Sequence, residues 1–91
     1  MLMFEWDEAK RLVNIEKHGL DFVRGTQIFD GQPVFSFAAR YEMEPRVVTV
    51  GKLDDGKFYT VIWTQRIALR RFISFRRARH GEETGYFALH G

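Results

Sequence analysis

The hydrophobic period of this chain changes at Gly31–Pro33. Before that point apolar residues recur at helical spacing; after it, as far as Arg77, the segments read as strands. Asp7 is placed to cap a first helix, since its carboxylate can accept from free backbone N–H groups. Ala9, Leu12, Val13 and the stem of Glu16 form that helix's apolar face. His18-Gly19 closes it, with glycine suited to the left-handed position and histidine to the negative helix end. Asp21 caps a second helix over Phe22–Phe29, with Phe22, Thr26 and Phe29 as its stripe and Val23 and Ile28 beside it.

The later segments read as strands. Pro33–Phe37 suits an edge strand, because proline cannot donate to a ladder inside a sheet. Ala38–Pro45 reads as a loop and Arg46–Lys52 as a strand. Asp54-Asp55-Gly56 makes a hairpin turn into a strand over Lys57–Gln65. Strict alternation puts Tyr59, Val61 and Trp63 on one face. These rings fit a core face; a base-stacking surface would look the same. Arg66–Ala68 turns the chain into a third strand, Leu69–Arg77, where alternation sets Phe72 and Phe75 on opposite faces. Ala78–Leu89 predicts a closing helix, weakened by Gly81 and Gly85. The expected fold class is α+β: two N-terminal helices, an antiparallel sheet of three to four strands and a C-terminal helix. Helices cover one sheet face, and the other is expected to be open to the strand arginines.

The chain has 91 residues, 45% of them hydrophobic, with nine Phe. That fits one domain over residues 1–91 with a compact aromatic core. There is no cysteine, so disulfides, thiolate zinc sites and cysteine nucleophiles are excluded. No apolar run reaches bilayer length, and the acids Glu5, Asp7 and Glu8 do not fit a signal peptide. No histidine pair has ligand spacing beside a carboxylate, so neither metal nor cofactor is expected.

Charge is uneven. Between Lys57 and His80 there is no Asp or Glu, but there are Lys57, Arg66, Arg70, Arg71, Arg76, Arg77 and Arg79. Such a run points to an anionic partner, nucleic acid in particular; a solvated strand face balanced by the acidic N-terminal half is the plainer reading. Guanidinium holds phosphate bidentately and can stabilise a phosphoryl transition state. His18, His80 and Tyr86 are the candidates for proton transfer, with His80 placed beside the arginines. Glu82-Glu83 is set aside, because neighbours on a helix point apart.

Phe4-Glu5-Trp6-Asp7, Ala9-Lys10, Asn14, Lys17-His18-Gly19, Phe22 and Ile28-Phe29-Asp30, with the later Ile73-Ser74, Arg76-Arg77-Ala78, Glu83 and Tyr86, resemble the BrnT toxin family over nearly the whole chain. The resemblance implies a RelE-like fold and a cytoplasmic ribonuclease toxin of a type II toxin–antitoxin pair. It implies neutralisation by a BrnA-type antitoxin, with operator DNA bound only through that antitoxin, and a toxin homodimer within a heterotetramer. The catalytic residues expected on it are Arg66, Arg76, Tyr86 and His18, with Arg66 and Arg76 holding the scissile phosphate and Tyr86 or His18 moving protons. Arg70, Arg77, Arg79 and Lys57 are expected to bind RNA. The alternative is a module that binds nucleic acid or the antitoxin without catalysis.

Overall fold

A computed structural model describes residues 3–39 and 44–91. Part of the expected Ala38–Pro45 loop, residues 40–43, lies outside the described residues. The elements in chain order are β1 (Phe4–Trp6), α1 (Glu8–His18), α2 (Phe22–Gly25), a 3₁₀ turn (Thr26–Phe29), β2 (Phe35–Ala39), β3 (Arg46–Lys52), β4 (Phe58–Arg66), β5 (Leu69–Arg77) and α3 (His80–His90). The strands form one sheet in the order β1-β5-β4-β3-β2. Among the described residues no helix is long and apolar enough to cross a membrane.

The caps form as their residue types require. The Asp7 carboxylate accepts from the Ala9 and Lys10 amides, and that of Asp21 from Val23. Gly19 takes φ 69°, in the left-handed region. The α+β class is observed, but the sheet has five strands, not three or four. The extra one, β1, runs parallel to β5, so the sheet is mixed. Phe4-Glu5-Trp6, which the sequence reads as a short strand or an anchored arm, is that strand. The second helix is only one α-turn before it tightens into the 3₁₀ turn. Phe22 and Ile28 are buried there and Val23 is exposed.

Three expectations about faces are overturned. Ile73 has no partner across β4: Ser74 faces Ile62, and Phe72 faces Trp63. This β-bulge brings Phe72 and Phe75 to the same face, both fully buried. They join Phe22, Ile28, Tyr59, Val61 and Trp63 in the main core, beneath α1, α2 and the 3₁₀ turn. The apolar stripe of α1 does not enter that core: Leu12 is 54% and Val13 57% exposed. The buried residue of α1 is Asn14 instead.

The second sheet face is not open. There α3 packs Tyr86 against Phe58 and Val50, with Phe35 and Ala78 alongside. Gly85 makes the fit possible. A Cβ at that position would lie 2.4 Å from the Phe35 ring. The residue that weakens α3 intrinsically is therefore the one that lets it dock.

Candidate active site

Sheet pairing sets Thr60 of β4 opposite Arg76 of β5, on the α3 face. The chain then leaves β5, and the first turn of α3 brings Glu82 over both. Arg76 donates from Nη1 to Oε1 and from Nη2 to Oε2 of Glu82, each at 2.8 Å. The Thr60 hydroxyl donates to Glu82 at 2.9 Å and the Arg79 backbone amide at 2.8 Å. The two ion-paired side chains are only 12% and 11% exposed. Arg76 Nη1 also reaches the Arg77 carbonyl at 3.2 Å. The guanidinium has five N–H donors, so it can still bind an anion while Glu82 fixes its plane.

Burial alone pushes the Glu82 carboxyl up, but the bonds from Arg76, the Arg79 amide and Thr60 outweigh it. They bring it from 4.5 to about 2. The folded value lies below the unfolded one, so this contribution is complete above about pH 4.5 and disappears as pH falls towards 2. It amounts to roughly 2 kcal/mol, less than the full shift implies, because solvent screens part of the pair. Urea titrations across this range show the wild type losing that stability. In Glu82→Gln the loss is absent, and a parallel loss in the variant would assign it to other carboxylates.

On the other side of β5, Asn14 closes the sheet edge that β1 leaves uncovered. Its Nδ2 donates to the carbonyls of Phe75 at 2.8 Å and Leu20 at 2.9 Å, and its Oδ1 accepts from the Phe75 amide at 3.0 Å. One amide thus replaces a neighbouring strand and holds α1 against β5. Between them runs a groove of about 340 Å³, lined by Ala9, Lys10, Val13, Asn14, Lys17, His18, Ile73 and Ser74. His18 ends α1 at this groove. Partial burial, with the nearby charges of Lys17 and Arg76, holds its imidazole below the ordinary value of 6.5. It is therefore neutral at pH 7 and able to accept a proton.

The expected site residues divide into three groups. His18, Arg76, Arg77, Arg79 and Lys57 lie at one end of the sheet. Arg77 donates from Nε to the Phe58 carbonyl at 3.3 Å and covers the Tyr59 ring. Arg79 caps α3, and Lys57 stands exposed at the hairpin. Arg66 and Arg70 lie at the other end. Arg66 is at the far end of β4 from Thr60, about 20 Å along the strand at 3.4 Å per residue. It pairs with Glu44 at 3.3 Å, so the structure does not bring it to Arg76. Tyr86 is buried in the second core, its ring centre 4.7 Å from that of Phe58. His80 begins α3 and is exposed.

Sequence reasoning passed over Glu82. Its signal was the spacing Arg79-x-x-Glu82, in which a glutamate three residues past the cap reaches back to the cap amide. Among the described residues there is no cluster of His, Asp and Glu that could hold a metal ion.

A family model described as the ribonuclease toxin BrnT of type II toxin–antitoxin systems matches residues 6–82. Among solved structures, the crystal structure of the Brucella abortus ribonuclease toxin BrnT is similar, with a TM-score of 0.66 and 27% identity. The match covers 88% of this chain and 100% of that one. No curated protein matches.

Proposed function

Since the chain belongs to the family of BrnT ribonuclease toxins of type II toxin–antitoxin systems, we propose that it cleaves RNA without a metal, at the groove between α1 and β5. The observation that carries this reading is a neutral imidazole, His18, within electrostatic reach of a fixed guanidinium, Arg76. The RNA 2′-hydroxyl attacks its own 3′-phosphorus and gives its proton to His18. The bond from phosphorus to the 5′-oxygen breaks, and that oxygen takes a proton from water. The products are a 2′,3′-cyclic phosphate and a 5′-hydroxyl. Arg76 stabilises the charge that grows on the phosphoryl oxygens, which is what such a reaction asks of a protein without a metal. Lys10 and Lys17 line the groove. With Arg77, Arg79 and Lys57 at the same sheet end, they supply cations for the flanking phosphates. Tyr86 supports α3 from the second core and takes no part in proton transfer.

In this reading residues 1–91 act as one RelE-like toxin domain in the cytoplasm. The antitoxin is of BrnA type and carries the operator-binding function, and two toxin copies enter a heterotetramer.

The test is to incubate the antitoxin-free protein with a defined RNA in EDTA. Cleavage with cyclic-phosphate ends supports the reading, and intact RNA counts against it. The rate is expected to rise with pH through a midpoint below 6.5, as His18 loses its proton. His18→Gln is expected to lower the plateau and remove that limb. A limb that survives the substitution assigns the base elsewhere.

A further inference from the structure

Arg11, Arg24, Arg66, Arg71 and Arg76 each face a carboxylate. Arg70 does not. It lies near the start of β5 on the main-core face, opposite Gln65. Its guanidinium sits 4.5 Å from the Phe29 ring centre and 4.6 Å from that of Trp63. Among the described residues its side chain makes no ion pair and no hydrogen bond. Burial lowers its pKa with nothing set against it. Stacking fixes the guanidinium through its faces and leaves the N–H groups on its edge unused. A half-buried charge held this way is matched only when an anion arrives.

The surroundings say which anion. Beside Arg70 is a hollow of about 200 Å³, lined by Ile28, Phe29, Gly31, Gln32 and Val34. The walls are apolar apart from Gln32, whose amide already bonds both backbone groups of Lys52. Among the described residues no second cation lines it. A nucleic-acid strand is held by cations following its successive phosphates. One planar fork in an apolar hollow matches one carboxylate with an apolar neighbour. Arg70 also lies on the opposite sheet face and at the opposite sheet end from Arg76.

We propose that Arg70 and this hollow anchor the protein partner, the antitoxin, through a single Asp or Glu side chain with an adjacent apolar side chain seated against Phe29 and Ile28. This rests on the toxin–antitoxin reading above. It takes Arg70 out of the RNA-binding set expected from sequence and makes it a contact for an acidic peptide.

The experiment titrates full-length antitoxin, overlapping peptides tiling it and a short single-stranded RNA into wild type, Arg70→Gln and Arg70→Met. The methionine variant keeps an apolar stem on Phe29 and Trp63, so the measurement stands if the glutamine variant folds poorly. Loss of the charge is expected to weaken antitoxin binding about ten-fold or more. One acidic peptide carries the effect. Replacing its carboxylate by the amide costs wild type a similar factor and costs the Arg70 variants nothing further. RNA binding changes by less than about two-fold, as for a cation outside the phosphate track. Equal antitoxin binding by wild type and variants overturns the proposal and leaves the toxin–antitoxin reading standing. So does a loss confined to RNA. An antitoxin that does not bind wild type overturns both.

Discussion

Arg76→Ala is expected to lower single-turnover RNA cleavage by about 10²-fold or more, the usual cost of removing a group that stabilises transition-state charge. The difficulty in reading such a result is that Arg76 also holds Glu82. Deleting it strands a carboxylate that is only 11% exposed, which costs about 3 kcal/mol or more in comparable half-buried pairs. The double variant Arg76→Ala with Glu82→Ala separates the roles. Removing the stranded charge recovers much of the stability in urea denaturation, whereas the cleavage rate stays low. If the rate recovers together with the stability, Arg76 acts only through the fold. Arg76→Lys keeps the charge but loses the fork that grips Glu82, and falls between wild type and alanine.

The second large effect is on stability. Asn14→Ala removes three hydrogen bonds and leaves the Phe75 amide, the Phe75 carbonyl and the Leu20 carbonyl without their partner. Each unsatisfied buried group costs about 1–3 kcal/mol. Water reaches some of them at the sheet edge, so the expected loss is about 3 kcal/mol, read as a lower urea midpoint. An unchanged midpoint would show that the edge is equally well satisfied by solvent. Asn14→Asp keeps the acceptor for the Phe75 amide but faces two carbonyls with a negative charge, and is expected to recover little.

The parts of the fold that followed from sequence are those fixed by local chemistry. Asp7, Asp21 and Gly19 sit where their side chains and backbone freedom place them. Arg46–Lys52 forms β3 with the expected bounds, and the Tyr59, Val61 and Trp63 face turned to the core as alternation requires. What was hidden depends on partners distant in the chain. The bulge at Ile73 answers to β4 and α1, although the spacing of Phe72 and Phe75, an odd number apart yet both large and apolar, was its trace. The short strand at Phe4-Glu5-Trp6 was readable, but its parallel place beside β5, more than sixty residues later, was not. Asn14, polar on a helix with apolar neighbours, was buried because a strand edge needed its amide. In the candidate site, residue type marked the arginine pair, whereas His18 was marked only by the family resemblance, since on the residues alone it reads as a helix-closing histidine. Their separation from Arg66 was not legible, because a charge run carries no information about which end of a hairpin each member occupies. Glu82 was missed because its relation to Arg76 is made by the chain turning from strand into helix.

The two borders of the sheet are unequal. On the β5 side the border strand is β1, only three residues long, and Asn14 covers β5 where β1 ends. On the opposite side, β2 contributes Phe35-Ser36-Phe37-Ala38-Ala39, without charge or proline, and among the described residues no strand lies beyond it. A border of three residues offers few backbone groups to a further strand, so lateral pairing favours the five-residue β2. Pairing through β2 about a two-fold axis uses up the free border of both molecules at once. Edge-to-edge association of this fold is therefore expected to favour a closed pair of copies over an open stack.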